Sequence, residues 1–308
     1  MEQCALALGK DPQFPSDIVL NHQYQAWRVI ADIVKTFDNG STERESEQLD
    51  DEKTHQLVKA LERQYDAWRT SVPAAAFTNG KCTTPSTSLA SLQFLDPLTF
   101  DNKKTVQIGY NANLVSAYVY EVGLYGTLQG QSPSPIRISL MFSGLASVER
   151  YLVDVLALTT AYMTLWTTMD WRLLNYGVML ATRLALTLNA TGPTTDSSAR
   201  LEKLAGWLDE LISRTQRIRS LMSGGGQFFA QLSEAWEGVR DWLRRVVREH
   251  AVAQPHPPQA QTSSEDASGM GDVNATQSAM AWAPEQDMPW LRFENEDLWA
   301  IDTSWLRM

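Results

Sequence analysis

The chain is poor in cysteine and in positive charge. Its 308 residues include two cysteines, Cys4 and Cys82, far apart in sequence. Two isolated thiols supply neither a disulfide framework nor a four-ligand zinc site, and they fit a reducing compartment. Lys and Arg total 26 against 36 acids, for a net charge of −10. A protein that grips DNA through its phosphates gathers Lys and Arg on one face, so no direct DNA binding is expected. Long apolar runs are missing too: the stretch 153–166 is interrupted by Asp154 and several Thr, and 173–188 carries Arg183. Neither reads as a membrane span, and Glu2 and Gln3 break the layout of a signal peptide. Strand-like alternation and internal repeats are absent as well.

The motifs of common catalytic machinery are equally scarce. There is no Gly-x-Ser-x-Gly elbow, no phosphate-binding Gly-Lys-Ser/Thr loop and no dinucleotide fingerprint. Gly224-Gly225-Gly226 follows no strand and reads as a helix–helix turn. The four histidines, His22, His55, His250 and His256, are scattered, and none neighbours a cysteine; His22 and His55 read as solvated helix residues. Glu149, Arg150 and Asp154 read as a salt-bridged or solvated helix face. Glu121, Arg172 and Arg183 interrupt apolar faces and, where buried, are expected to be paired. No enzyme activity, cofactor or metal is expected.

What the chain does have is helical periodicity and tryptophan. The 11 Trp recur in otherwise helical stretches, and most should be core anchors, each with one N–H to satisfy. Apolar residues at three-to-four-residue steps predict helices over Asp17–Phe37 and Thr54–Val72, the second stopped by Pro73. Further helices are predicted over Gly109–Gly126, Ile136–Thr168 and Trp171–Leu188. Two amphipathic helices follow, one through Leu201, Leu208, Ile218 and Leu221, the other through Phe228, Trp236, Trp242 and Val246. Ser134 is placed to cap the helix that Pro135 begins, since proline lacks the N–H that would go unpaired there. The helix from Ile136 is apolar around most of its circumference and should be central.

The expected fold class is all-α: a multi-helix domain over residues 1–250, with loops at about 38–53 and 74–103. A Pro/Gln/Ser-rich stretch over 251–281 reads as a disordered linker. Residues 282–308 form an acidic-aromatic tail. There Trp290, Leu291, Phe293, Leu298, Trp299, Trp305 and Leu306 lie among Glu285, Asp287, Glu294, Glu296, Asp297 and Asp302. Acids keep such aromatic groups hydrated and available to a coactivator groove, the physics of an activation segment. The alternative is a strap whose Trp side chains dock on the helical body. The basic cluster Arg240, Arg244, Arg245, Arg248 reads as the solvated back of its helix, with nuclear import as the competing role.

Several segments together resemble the middle regulatory region of fungal zinc binuclear-cluster transcription regulators. They are the opening from Cys4 to Gly9, Phe14-Pro15-Ser16-Asp17, Trp27-Arg28-Val29-Ile30-Ala31, and Asn113-Leu114 running to Tyr118-Val119-Tyr120-Glu121-Val122. Trp171, Tyr176-Gly177, Leu180, Arg183-Leu184 and the closing Trp305-Leu306-Arg307 complete the set. The resemblance implies an all-helical regulatory domain, a nuclear location and a role in transcription, including that of a secondary-metabolite gene cluster. It also implies protein partners: a coactivator and a DNA-binding regulator. The family's six-cysteine module, basic linker and heptad segment do not precede Cys4. The expectation is therefore a regulator that has lost or never had that module, or one whose coding sequence begins upstream of Met1. The competing expectation is a helical protein- or ligand-binding module with no transcriptional role.

Overall fold

A computed structural model describes residues 15–38, 51–72, 97–124, 133–191, 195–221 and 226–253, with the isolated positions 3, 7 and 10. These residues are all-α, with no strand among them. In chain order the helices are α1 (Pro15–Asp38), α2 (Asp51–Ser71) and α3 (Pro97–Tyr120), the last running into a 3-10 turn at Glu121–Leu124. Then come α4 (Pro135–Ala157), the short α5 (Thr160–Met163), α6 (Thr168–Thr191), α7 (Thr195–Leu221) and α8 (Gly226–Ala253). Two helices begin earlier than the sequence predicts: Asp51 opens α2 and Pro97 opens α3. Proline at the first position and acids in the first turn are good helix starts.

Ser134 caps α4 as the sequence predicts, accepting from the Arg137 amide at 3.3 Å with Pro135 behind it. Arg137 itself is buried and pairs with Asp51 of α2 at 3.0 Å. The Ser134 hydroxyl and the Arg137 guanidinium together hold the Asp51 carboxyl below its ordinary range.

The single helix expected over Ile136–Thr168 is broken. Leu158 and Thr159 are extended, with ψ of 150° at both, and a separate turn follows at α5. The cause is threonine chemistry. The Thr159 hydroxyl accepts from the Tyr162 amide at 3.2 Å and so caps a new helix start. Thr167 and Asp170 then close a reciprocal box. The Asp170 carboxylate accepts from the Thr167 amide at 2.9 Å and from its hydroxyl at 2.8 Å, while the Asp170 amide donates back to that hydroxyl at 3.4 Å. Hydroxyl side chains that can satisfy nearby amides compete with helix continuation.

The core lies where α3, α4 and α6 meet. Tyr151, Leu152 and Val155 of α4, Leu174, Val178 and Leu184 of α6, and Leu114 and Val115 of α3 are all buried. Gly177 admits the Tyr151 ring so closely that a Cβ there would stand 2.7 Å from Cε1. The pair α7–α8 packs as an antiparallel hairpin against α6. Its seam holds a buried hydroxyl pair, Thr215 with Ser233 at 2.8 Å. At one end Asp209 of α7 takes both Arg240, at 3.2 Å, and Arg244 of α8. On the other flank α1 packs on α2 and α3, tied by the Trp68 indole donating to the His22 carbonyl at 2.9 Å.

Of the seven Trp among the described residues, Trp68, Trp171 and Trp236 are buried and Trp27, Trp166, Trp207 and Trp242 are half-buried against the core.

Candidate functional site

A small notch opens where α1, α2, α3 and α6 converge. Helical spacing puts Gln23, Ala26, Trp27 and Ile30 of α1 on one wall. Trp68 of α2 stands beside them, its N–H already given to His22. Ile108, Asn111, Leu114 and Val115 of α3 form the opposite wall, and Leu173 of α6 the end. The enclosed part has little more room than one water molecule takes, and the mouth is open. No ionisable side chain lines it. Its buried polar feature is the Asn111 Oδ1, which has no hydrogen-bond partner. One residue along α1 from Gln23, His22 is buried with an unpartnered Nδ1, and burial lowers its pKa. The sequence placed His22 in solvent; it sits inside because it shares the helix face of Ala26, Val29 and Ile33.

A second concentration of unpaired polar atoms lies on the far side of α3. The Tyr110 ring contacts Tyr151, at 6.2 Å between centroids, and Trp166, at 6.0 Å. Tyr110 OH, Tyr151 OH and Trp166 Nε1 are buried without partners. Burial, reinforced by the nearby Asp170 charge, drives both phenols well above their ordinary range. Such groups are poor proton donors or bases at neutral pH.

Glu121, expected to pair if buried, does so. Its carboxylate accepts from Tyr176 OH and lies 3.7 Å from Arg183, while Tyr118 stacks on Tyr176 at 4.3 Å with rings 6° from parallel. Burial raises the Glu121 pKa, against the pull of Tyr176 and Arg183. The charges in the C-terminal half of α4 divide as a helix surface does: Glu149 meets Lys203 at 3.4 Å, Asp154 accepts from Asn113 at 2.8 Å, and Arg150 is exposed. Asp154 is also held up by burial. In the basic cluster Arg240 and Arg244 are tied to Asp209, while Arg245 and Arg248 are exposed.

The tail residues Trp290, Leu291, Phe293, Leu298, Trp299, Trp305 and Leu306 lie outside the described residues, as do Cys4, Cys82 and the 254–281 stretch. Among the described residues no group of three or more His, Cys, Asp or Glu could hold a metal ion. None of their helices is long and apolar enough to cross a membrane. The notch escaped sequence reasoning because four separate helices build it. The one available signal was Asn111, an amide set among core-facing neighbours on α3. No family model matches the chain, and neither does any curated protein or solved structure compared with it.

Proposed function

We propose that the chain is the helical regulatory body of a transcription regulator, acting in the nucleus through protein partners rather than by gripping DNA itself. The observation that carries this reading is a convergence. Tyr118 and Glu121 come from one segment of the family resemblance, Tyr176 and Arg183 from another, and the four side chains meet in one stacked, hydrogen-bonded cluster. Segments far apart in sequence but jointly required by one contact network are what a shared fold demands. The net charge of −10 supports a protein-directed rather than phosphate-directed role. The reading includes no catalytic step, cofactor or metal. It assigns activation to Trp290, Leu291, Phe293, Leu298, Trp299, Trp305 and Leu306, with a coactivator as the partner, and promoter contact to a separate DNA-binding regulator.

Residues 282–308 fused to a foreign DNA-binding domain should switch on a reporter. Replacing Trp290, Trp299 and Trp305 with Ala should silence it. A fusion with no activity, or one indifferent to the three substitutions, removes the activation role. The alternative reading, a helical binding module without a transcriptional role, is favoured by the notch alone. Uniform cytosolic location of the tagged chain would select it.

A further inference from the structure

The outward side of α4 is apolar where its neighbours are charged. Its exposed positions include Ser139, Phe142, Ala146, Arg150, Val153 and Ala157, with Arg150 the one charge. The exposed positions of α2 and α8 carry mainly Lys, Arg, Glu, Asp and Gln. Phe142 is 46% exposed and Val153 49%, about three turns apart on one face. Cations border this stripe: Arg200 of α7 stands over the Phe142 ring at 5.6 Å, and Lys203 reaches Glu149 at 3.4 Å. An apolar helix face with a basic border suits an acidic amphipathic helix. We infer that its occupant is the chain's own residues 290–305, laid antiparallel along α4 with Glu294 against Arg150 and Leu298 over Ala146.

The register follows from the two sequences. On a helical pitch Leu291, Glu294, Leu298, Ile301 and Trp305 recur at steps of three or four and share one side. That side sets one acid in an apolar series, and the outward side of α4 sets one base in a mainly apolar series. Placing Glu294 against Arg150 in antiparallel order brings Leu291 to Val153, Leu298 to Ala146 and Trp305 to Ser139, so large groups meet small ones. Asp302 then falls at Phe142, where Arg200 stands. In parallel order the same pairing would set Leu298 against Asp154. Over 282–308 six acids face two arginines, which suits the basic border. The acids beside the stripe are already engaged, Glu149 by Lys203 and Asp154 by Asn113. Reach is sufficient: α8 ends at Ala253, and a coil as long as 254–289 spans roughly 30 Å, about the length of α4. Tethering supplies an effective concentration on the order of millimolar, so a modest site is filled. The inference does not rest on the transcriptional reading, since a reporter fusion of 282–308 carries no α4 and its result bears on activation alone.

Hydrogen exchange read by mass spectrometry tests this on the purified full-length chain, with a synthetic 282–308 peptide as the unprotected reference. Amides of 291–305 should exchange at least about tenfold more slowly in the chain than in the peptide, and equally so at low and high chain concentration. Arg150→Glu and Glu294→Arg should each cut that protection about threefold or more. The two together should restore it, because the pair is then reversed rather than removed. Ala146→Trp, at an exposed position, should abolish it while the amides of α3 and α6 stay protected. No protection in the unaltered chain would overturn the inference. So would protection that appears only at high concentration, which assigns the stripe to a second copy. Protection indifferent to all three substitutions would place the segment elsewhere and equally sink it. Loss in both charge variants without recovery in the pair would remove the register. Should Ala146→Trp not fold, the charge pair decides.

Discussion

The Trp236 indole on α8 donates to the Asn175 side-chain oxygen on α6 at 3.0 Å, and both residues are buried. Neither group has water to fall back on, so the bond ties the α7–α8 hairpin to the central helix by mutual need. Asn175→Leu leaves the indole N–H orphaned and should destabilise the chain by about 1–3 kcal/mol. Trp236→Phe orphans the amide and also leaves a void. The double variant should lose clearly less than the sum of the two, because the second change removes a group already stranded. Urea unfolding with unchanged m-values is the measurement. Additive losses would show that the bond carries little coupling.

Gly177→Ala tests the closest approach in the core. Alanine in a helix interior is ordinarily better than glycine by about 1 kcal/mol, so propensity alone forecasts a gain. The new Cβ would stand 2.7 Å from Tyr151 Cε1 and 3.0 Å from Cδ1, with Leu114 Cδ1 at 3.5 Å behind. The ring is fully buried and has no free direction. Overpacking of this kind typically costs about 1–3 kcal/mol, so the variant should melt lower. In a Tyr151→Leu background the obstacle is gone, and Gly177→Ala should become neutral or stabilising. A gain in the unaltered background would mean that α4 and α6 can part cheaply.

The fold was legible where local chemistry decides it, and opaque where tertiary geometry does. Ser134-Pro135 announces the start of α4 because a cap and a fixed φ need only their own neighbours. The break at Leu158–Thr159 was hidden because Leu156, Leu158, Tyr162, Met163 and Trp166 carry the apolar step straight through. Of the several threonines there, Thr159 and Thr167 make the caps that break it, and the Thr167-x-x-Asp170 spacing was the sign available. The burial of His22 could have been read from its spacing to Ala26, Val29 and Ile33. Neither the notch nor the Tyr118–Tyr176 stack could, since each depends on how far apart whole helices settle.

Arg214 of α7 holds the end of α4. Its guanidinium donates to the Leu156 carbonyl at 2.7 Å and to that of Leu158, where the helix has run out of amides to meet them. A cation at a helix C-terminus also meets the negative end of the macrodipole. The Arg214 side chain is 13% exposed, so these bonds are largely shielded, whereas its contact with Glu210 faces water and contributes little. Arg214→Met keeps the stem and should cost about 1.5–3 kcal/mol. Arg214→Lys cannot span two carbonyls with a planar fork and should recover less than half of that. Full recovery by Lys in thermal melts would reduce the role to charge alone.

Glu121 sets a pH dependence whose sign can be stated in advance. Its side chain is 14% exposed, and burial raises its pKa above the ordinary 4.5 despite Tyr176 and Arg183. With the folded value above the unfolded one, the folded chain holds this proton more tightly. The contribution to stability is then complete below about pH 4.5, where both states are protonated, and is lost as pH rises through the folded value. Glu121→Gln keeps an acceptor for Tyr176 and has no proton to lose. Arg183, 41% exposed, can turn to water in the variant. The difference in Tm between Glu121→Gln and the unaltered chain should therefore move in the variant's favour from pH 4.5 to 7. Movement the other way would mean that the ionised Glu121–Arg183 pair outweighs the cost of burying it, and that the cluster joining α3 to α6 is held by charge rather than by the stacked Tyr118 and Tyr176 rings.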